Sequence, residues 1–343
     1  MLYVTTRTKN DTYTAAHALS EDRAPDGGFY VPLQLPKFDQ SELAQLGKKS
    51  FSRNVADVIN LFFGTKLDSW SLEFAVGRYP VKLTSLTGRE IVAETWHNPA
   101  WKFERMARGI EKAILHSDQI GPVPSDWLMV VSRIAVLFGI FGELAAADTE
   151  VPIDLAIPNG DFSGPMAAWY ARQMGLPIAN ILCCCNDNNG AWRLLHKGEL
   201  RTDGAPIPTP VPGSDHVVPK DLERLIFGTL GLKAVSDFLE TWEQGNIYYL
   251  EPQQQTTLRK GLYAPVTGLR RLESAVCNLF QNWKYLPDPG TALCYSGILD
   301  YRSVTGESRK VLIISEESPG FSLDYLCKCL GLSPWELKRR MEK

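Results

Sequence analysis

Residues 151–189, VPIDLAIPNGDFSGPMAAWYARQMGLPIANILCCCNDNN, constrain the fold more tightly than any other part of the chain. An apolar run, 153–157, is broken by Pro158 and followed by a Gly-containing loop, 159–164. Met166, Trp169, Tyr170 and Met174 then recur at helical spacing. Gly175 and Pro177 stop that helix, and a second apolar run, 178–185, ends in an Asn/Asp/Gly cluster. Strand, loop, helix and strand in so short a stretch predict a βαβ unit with parallel strands and a right-handed crossover. The loop after the first strand would sit at a helix N-terminus, where free backbone N–H groups favour an anion. Residues 160–164 are therefore a candidate phosphate cradle, although a plain βα turn that binds nothing has the same pattern.

With 343 residues and 44% hydrophobic content, the chain can bury one large core or two smaller ones. Its net charge is −3, with acidic and basic residues interspersed, so no nucleic-acid footprint is expected. The opening Met1-Leu2-Tyr3-Val4-Thr5 lacks a charged-then-apolar signal pattern. The most apolar segment, 127–144, is interrupted by Ser132, Arg133 and Glu143 and reads as a buried helix, not a membrane span. Among seven cysteines, Cys183, Cys184 and Cys185 alternate faces along a predicted strand and cannot easily bridge. Cys327 and Cys329, two apart on a predicted helix, do not face each other. Reduced thiols in a cytoplasmic protein are the expectation, and no His or Cys pair has metal-ligand spacing.

Elsewhere, residues 24–32 (APDGGFYVP) read as a Gly-dependent turn and an extended piece. A helix is expected over 55–63, with Val55, Val58, Ile59 and Phe62 as its apolar stripe and Gly64 as its stop. Residues 206–219 read as a surface connection. A helix beginning near Pro219 turns Leu222, Leu225, Ile226 and Leu230 inward, and further amphipathic helices cover 233–242 and 269–283. Residues 309–315 read as a strand, and Ser333-Pro334-Trp335-Glu336 is a helix-capping box. Alternating strands and helices predict an α/β layer structure. We divide it into an N-terminal region, 1–104, and an α/β core, 105–343.

The loop Gly160-Asp161-Phe162-Ser163-Gly164 resembles that of the threonine synthases, pyridoxal-phosphate (PLP) enzymes of fold type II. Met174-Gly175-Leu176-Pro177-Ile178, Asn186-Asp187-Asn188 and the nonapeptide 24–32 extend the resemblance, which runs from about Tyr3 to Phe321. It implies a parallel-sheet core with flanking helices and a PLP pocket built from Gly160, Asp161, Phe162, Ser163, Gly164 and Ser315. The departures fall on that pocket. Asp161 stands where the family has Asn, and a carboxylate repels a phosphate. His97, Pro99 and Phe103 match the family's pattern, yet Glu104 falls where the Schiff-base Lys belongs. A Glu forms no aldimine. Lys102, two positions earlier, is rotated by roughly 200° if this stretch opens a helix. Gly290 replaces a His in Asp288-Pro289-Gly290-Thr291-Ala292, and the run 315–321 has lost the family's His and Lys while gaining Glu316 and Glu317. Ser132 follows Glu104 too closely to leave space for a substrate-carboxylate loop. Most of the small cofactor-covering domain is thus expected to be deleted.

Three functions remain open at this point. One is a threonine-synthase-like pseudoenzyme with no cofactor that binds a small-molecule ligand or a protein partner, including a homodimer over the apolar surface left by the lost domain. The second is cofactor-independent acid–base chemistry by Glu104, Asp161, Glu317 and His97, which requires converging carboxylates and at least one raised pKa. The third is a residual PLP lyase working through Lys102 or another Lys. A more acidic pocket favours a neutral or cationic ligand over a phosphate. Trp96, Trp101 and Trp169 are placed at its flanks, either stacking on a ligand or filling space.

Overall fold

The structure, a computed structural model, describes residues 1–76, 81–97, 103–115 and 124–341. Its centre is a six-stranded sheet. The strands are β4 (Lys82–Ser85), β5 (Glu90–Glu94), β6 (Ile153–Pro158), β7 (Ile178–Cys184), β10 (Leu262–Tyr263) and β11 (Val311–Ser315), in the order β10-β7-β6-β11-β5-β4. All neighbours are parallel except the β4–β5 pair. The expected region boundary at 104 does not divide this sheet, which takes β4 and β5 from before it and the other strands from after it. A three-stranded antiparallel sheet, β2-β1-β3, is built from β1 (Leu2–Thr5), β2 (Tyr13–Thr14) and β3 (Tyr30–Pro32). A small pair joins β8 (Glu199–Arg201) to β9 (Ile247–Tyr249).

Central strands of a parallel sheet are covered on both faces, so they read as unbroken apolar runs. On β11, Leu312 and Ile314 join one buried cluster while Val311 and Ile313 join the other. The cysteine run behaves in the same way, with Cys183 and Cys185 in the first cluster and Cys184 in the second. These three thiols are buried and free, as alternation along a strand requires.

The helices that build the core and the site are numbered in chain order: α1 (Phe51–Phe63), α2 (Phe103–Leu115), α3 (Asp126–Ala146), α4 (Ser163–Gln173), α5 (Leu222–Leu230), α6 (Leu269–Asn282), α7 (Pro289–Thr305) and α8 (Leu323–Leu330). The Ser50 hydroxyl caps α1 by accepting from the Arg53 N–H at 3.2 Å, and Gly64 ends it at φ +69°. Val55, Val58, Ile59 and Phe62 are fully buried. Helix α3 is long and apolar enough to cross a membrane by length and composition, but 78% of its most apolar window is buried inside the protein. It packs against α1, α2 and α4, which explains why it is apolar on nearly every side. The expected buried helix over 127–144 is this one. Between the end of α2 at Leu115 and the start of α3 at Asp126 the chain is too short to hold a further domain.

Helices α1 and α3 approach closely because α3 carries two glycines there. A methyl group at Gly139 would press on the Phe51 ring, and one at Gly142 would meet the Asn54 amide and the Leu46 carbonyl. The Asn54 amide donates to that carbonyl at 3.0 Å, so this contact also satisfies a buried polar group. Gly139→Ala gains helix propensity but overfills the contact, and the overfilling dominates in a close-packed core. A net loss of about 1–2 kcal/mol is expected, read as a lower urea midpoint at unchanged slope.

Candidate active site

A cavity of about 360 Å³ opens at the carboxyl ends of β6 and β11. Pro158 and the loop leading into α4 form one wall, and Asp288, Pro289 and Gly290 at the start of α7 form the second. Ile314 lies in β11, Glu316 and Glu317 follow it, and residues 210–214 with His216 close the far side. The expected surface connection over 206–219 thus supplies a wall of the site. Helix α4 packs with the first buried cluster and α7 with the second, on opposite faces of the sheet. Open α/β sheets characteristically hold ligands at such a position, where two helix N-termini point at one crevice.

The loop between β6 and α4 is shaped residue by residue. Gly160 has φ +53°, and its N–H donates to the Ser214 hydroxyl at 3.1 Å. Phe162 adopts φ +72°, unusual for a bulky residue, and its side chain is anchored in the core at 1% exposure. A Cβ at Gly164 would stand 2.8 Å from Ile157 Cδ1, so glycine lets the helix sit against the strand. The chain therefore makes the expected helix-opening turn. What occupies it is the chain itself. Asp161 Oδ1 accepts from the Ser163 N–H at 3.0 Å and also from the Ser163 hydroxyl.

Asp161 is held in that position by charge. Its second oxygen lies 3.2 Å from Lys220 Nζ. Burial pushes the carboxyl up, but Lys220, Arg133 and the two Ser163 donors outweigh it and bring it down to about 2. A folded pKa below the ordinary value near 3.9 gives stability that is fully present above about pH 4. It is lost as pH falls through about 2.

Lys220 also pairs with Asp126 at the start of α3, and Asp126 pairs in turn with the fully buried Arg224 of α5. Arg224 contacts Asp221, donates to the Tyr30 carbonyl at 3.3 Å and lies 4.3 Å from the centre of the Phe29 ring. The network thus ties the cradle to the N-terminal region. It contains Lys220 and Arg224 as cations against Asp126, Asp161 and Asp221 as carboxyls. Burial pushes the Asp221 carboxyl up, while the Arg224 guanidinium in contact with it pulls the other way. Glu316, Glu317 and Asp288 also line the cavity. Glu316 pairs with Arg133 at 3.1 Å, yet burial still raises it. Asp288 caps α7, accepting from the Thr291 N–H at 3.1 Å and from the Ser315 hydroxyl at 2.9 Å, and burial raises it as well.

The residues expected from the sequence separate into two groups. Gly160, Asp161, Ser163, Gly164 and Glu317 line the cavity together, whereas Phe162 is turned into the core. Ser315 lies behind the wall, donating to Asp288 and accepting from Trp96 Nε1 at 3.2 Å. Glu104 and His97 do not line the cavity. Glu104 is exposed in the first turn of α2, while His97 stacks on Trp96 and hydrogen-bonds Glu94. Glu104 and His97 therefore lie apart from Asp161 and Glu317, and the Asp161 carboxyl is lowered, not raised. Pro99, Trp101 and Lys102 lie outside the described residues. Trp169 packs against Tyr170 and Gly228, away from the cavity. Sequence reasoning passed over Arg133 and Lys220 as site residues, and met Asp288 and Glu316 only as parts of motifs that depart from the family's pattern.

A PLP phosphate does not fit this loop. The Ser163 N–H and hydroxyl that would receive it are taken by the Asp161 carboxylate, which would also repel it at contact distance.

Residues 2–78 match the family model described as the threonine synthase N terminus. A threonine synthase of Pseudomonas aeruginosa is 25% identical over 170 residues, 49% of this chain and 36% of its own length. The human protein named threonine synthase-like 1 is 25% identical over 146 residues, 41% of this chain and 20% of that protein. These sequence matches span well under two thirds of either relative. By structure, PLP-bound threonine synthase from Brucella melitensis superposes with a TM-score of 0.84 at 18% identity, covering 100% of this chain and 95% of that one. Yeast threonine synthase superposes at 0.83 with 16% identity, covering 99% and 94%. The fold is therefore that of the threonine synthases.

Removing Arg224 tests the charge network. Arg224→Met leaves Asp221 and part of Asp126 buried without their cation, and should cost about 3–5 kcal/mol in chemical denaturation. Adding Asp221→Asn to it should recover part of that loss, since the two sites share one interaction.

Proposed function

We propose that this threonine-synthase-like chain has left PLP chemistry and binds a small, unphosphorylated ligand, neutral or cationic, in the cavity at the ends of β6 and β11. The observation that carries this reading is the Asp161 carboxylate on the N-terminus of α4, using the donors a phosphate needs. The Brucella melitensis relative is described as PLP-bound; the same loop of this chain holds an anion of its own. The cavity has apolar walls at Pro158, Val211, Pro212, Pro289 and Ile314. Glu316 and Glu317 at its edge accept hydrogen bonds from an ammonium or amide group, and Arg133 holds Glu316 in place. The raised carboxyls of Glu316 and Asp288 support a second reading, cofactor-independent acid–base chemistry in the same cavity. Glu316 is the stronger candidate of the two, because Asp288 already serves as the helix cap.

Purified protein incubated with PLP should develop no aldimine absorbance and, after borohydride reduction, no lysine adduct by mass analysis. Inorganic phosphate should leave its melting temperature unchanged. Asp161→Asn removes the internal anion and keeps a donor amide, so phosphate should now stabilise the variant. A reduced adduct on one lysine of the wild-type protein, above all Lys102, would restore the lyase reading.

A further inference from the structure

Cys277, Cys327 and Cys329 are the partly exposed thiols, and of these Cys277 and Cys329 open on one groove. Cys183, Cys184, Cys185 and Cys294 are fully buried, out of reach of any reagent in the folded state. Cys277, on α6, and Cys329, near the end of α8, are partly exposed and open on the same surface groove of about 790 Å³. They are also neighbours across the helix–helix contact, since the Cys277 thiol donates to the Cys329 carbonyl at 3.4 Å. Helix α8 ends at Gly331, a left-handed residue, so Cys329 lies in the last turn of the helix. Arg270 and Lys328 line the groove with Glu273, a net positive set that favours an anionic disulfide reagent such as oxidised glutathione.

We propose that Cys277 and Cys329 form a reversible disulfide, made by exchange with glutathione disulfide, that clasps α8 to α6. One thiolate attacks a sulfur of glutathione disulfide and releases one glutathione thiolate, leaving a mixed disulfide on the protein. The second thiolate then attacks the protein sulfur of that mixed disulfide and displaces the other glutathione. The two protein thiols lose two protons and two electrons, and glutathione disulfide is reduced to two glutathiones.

The clasp bears on the cavity because both helices lead to its walls. Helix α6 runs through a short connection into Asp288, Pro289 and Gly290, and the chain from Glu316 and Glu317 runs through Pro319–Ser322 into α8. Joining α6 to α8 therefore fixes the separation of two cavity walls at their outer ends.

The test equilibrates the folded, full-length protein in glutathione buffers of increasing oxidised fraction and follows intact mass and digested peptides. The expected result is loss of two hydrogens and a cross-linked peptide joining Cys277 to Cys329, reversed by dithiothreitol. Amide exchange over Leu323–Leu330 should slow at least tenfold in the oxidised form. Cys277→Ser should abolish the cross-link, whereas Cys327→Ser should leave it intact. A persistent glutathione adduct on wild-type protein, a link through Cys327, or no change at the most oxidising ratio would each overturn the proposal. Should Cys277→Ser fail to fold, the wild-type peptide map decides by itself.

Discussion

A carboxylate lying against the first N–H of a helix, with a lysine behind it, is the interaction on which the rest of this site depends. The exposed N–H groups and the dipole at the N-terminus of α4 favour a negative charge there, whatever molecule carries it. Asp161 supplies that charge from within the chain, and the Ser163 N–H and hydroxyl receive it. A carboxylate so placed is bound without the loss of translational freedom that a free phosphate suffers on binding. The loop is therefore preorganised without a ligand, and the same feature makes it a poor phosphate site.

Holding Asp161 in place links the cavity to distant parts of the fold. Lys220 stands between Asp161 and Asp126, and Arg224 stands between Asp126 and Asp221 while lying over the Phe29 ring. Three segments far apart in sequence, the start of α3, the cradle and the start of α5, thus meet in one chain of alternating charge, and the turn before β3 packs on it through Phe29. Such an arrangement adds little net stability over an apolar core of the same volume, but breaking one link is expensive. It specifies where those segments sit. The resemblance to threonine synthases in overall fold coexists with a cavity whose charges are largely paired with one another.

The sequence was most informative where structure is local. The βαβ unit, helix α1 with its Ser50 and Gly64 boundaries, and buried α3 all follow from periodicity and capping within a single window. Strand β10, with only two residues, carries too little pattern to be seen. The pairing of β11 between β5 and β6 is long-range and invisible to any window. The site was legible in part for the same reason. The departure at Asp161 drew attention to a carboxylate in this loop, and the structure places it on the Ser163 N–H. Its low pKa, however, depends on Lys220 and Arg133, which reach it only through the fold. Glu104 was placed in the site by aligning a motif across a shortened stretch. In the structure it starts an amphipathic helix and faces solvent, as helix phase dictates once Met106, Ala107 and Ile110 are turned inward.

A carbon-detected NMR titration of the Asp161 carboxyl tests the central claim most directly. If the carboxylate rests on the Ser163 N–H beside Lys220, it should titrate near pH 2, well separated from exposed aspartates. An ordinary midpoint near pH 4 would place the carboxylate in solvent, leave the cradle open to a phosphate, and contradict the reading of this site.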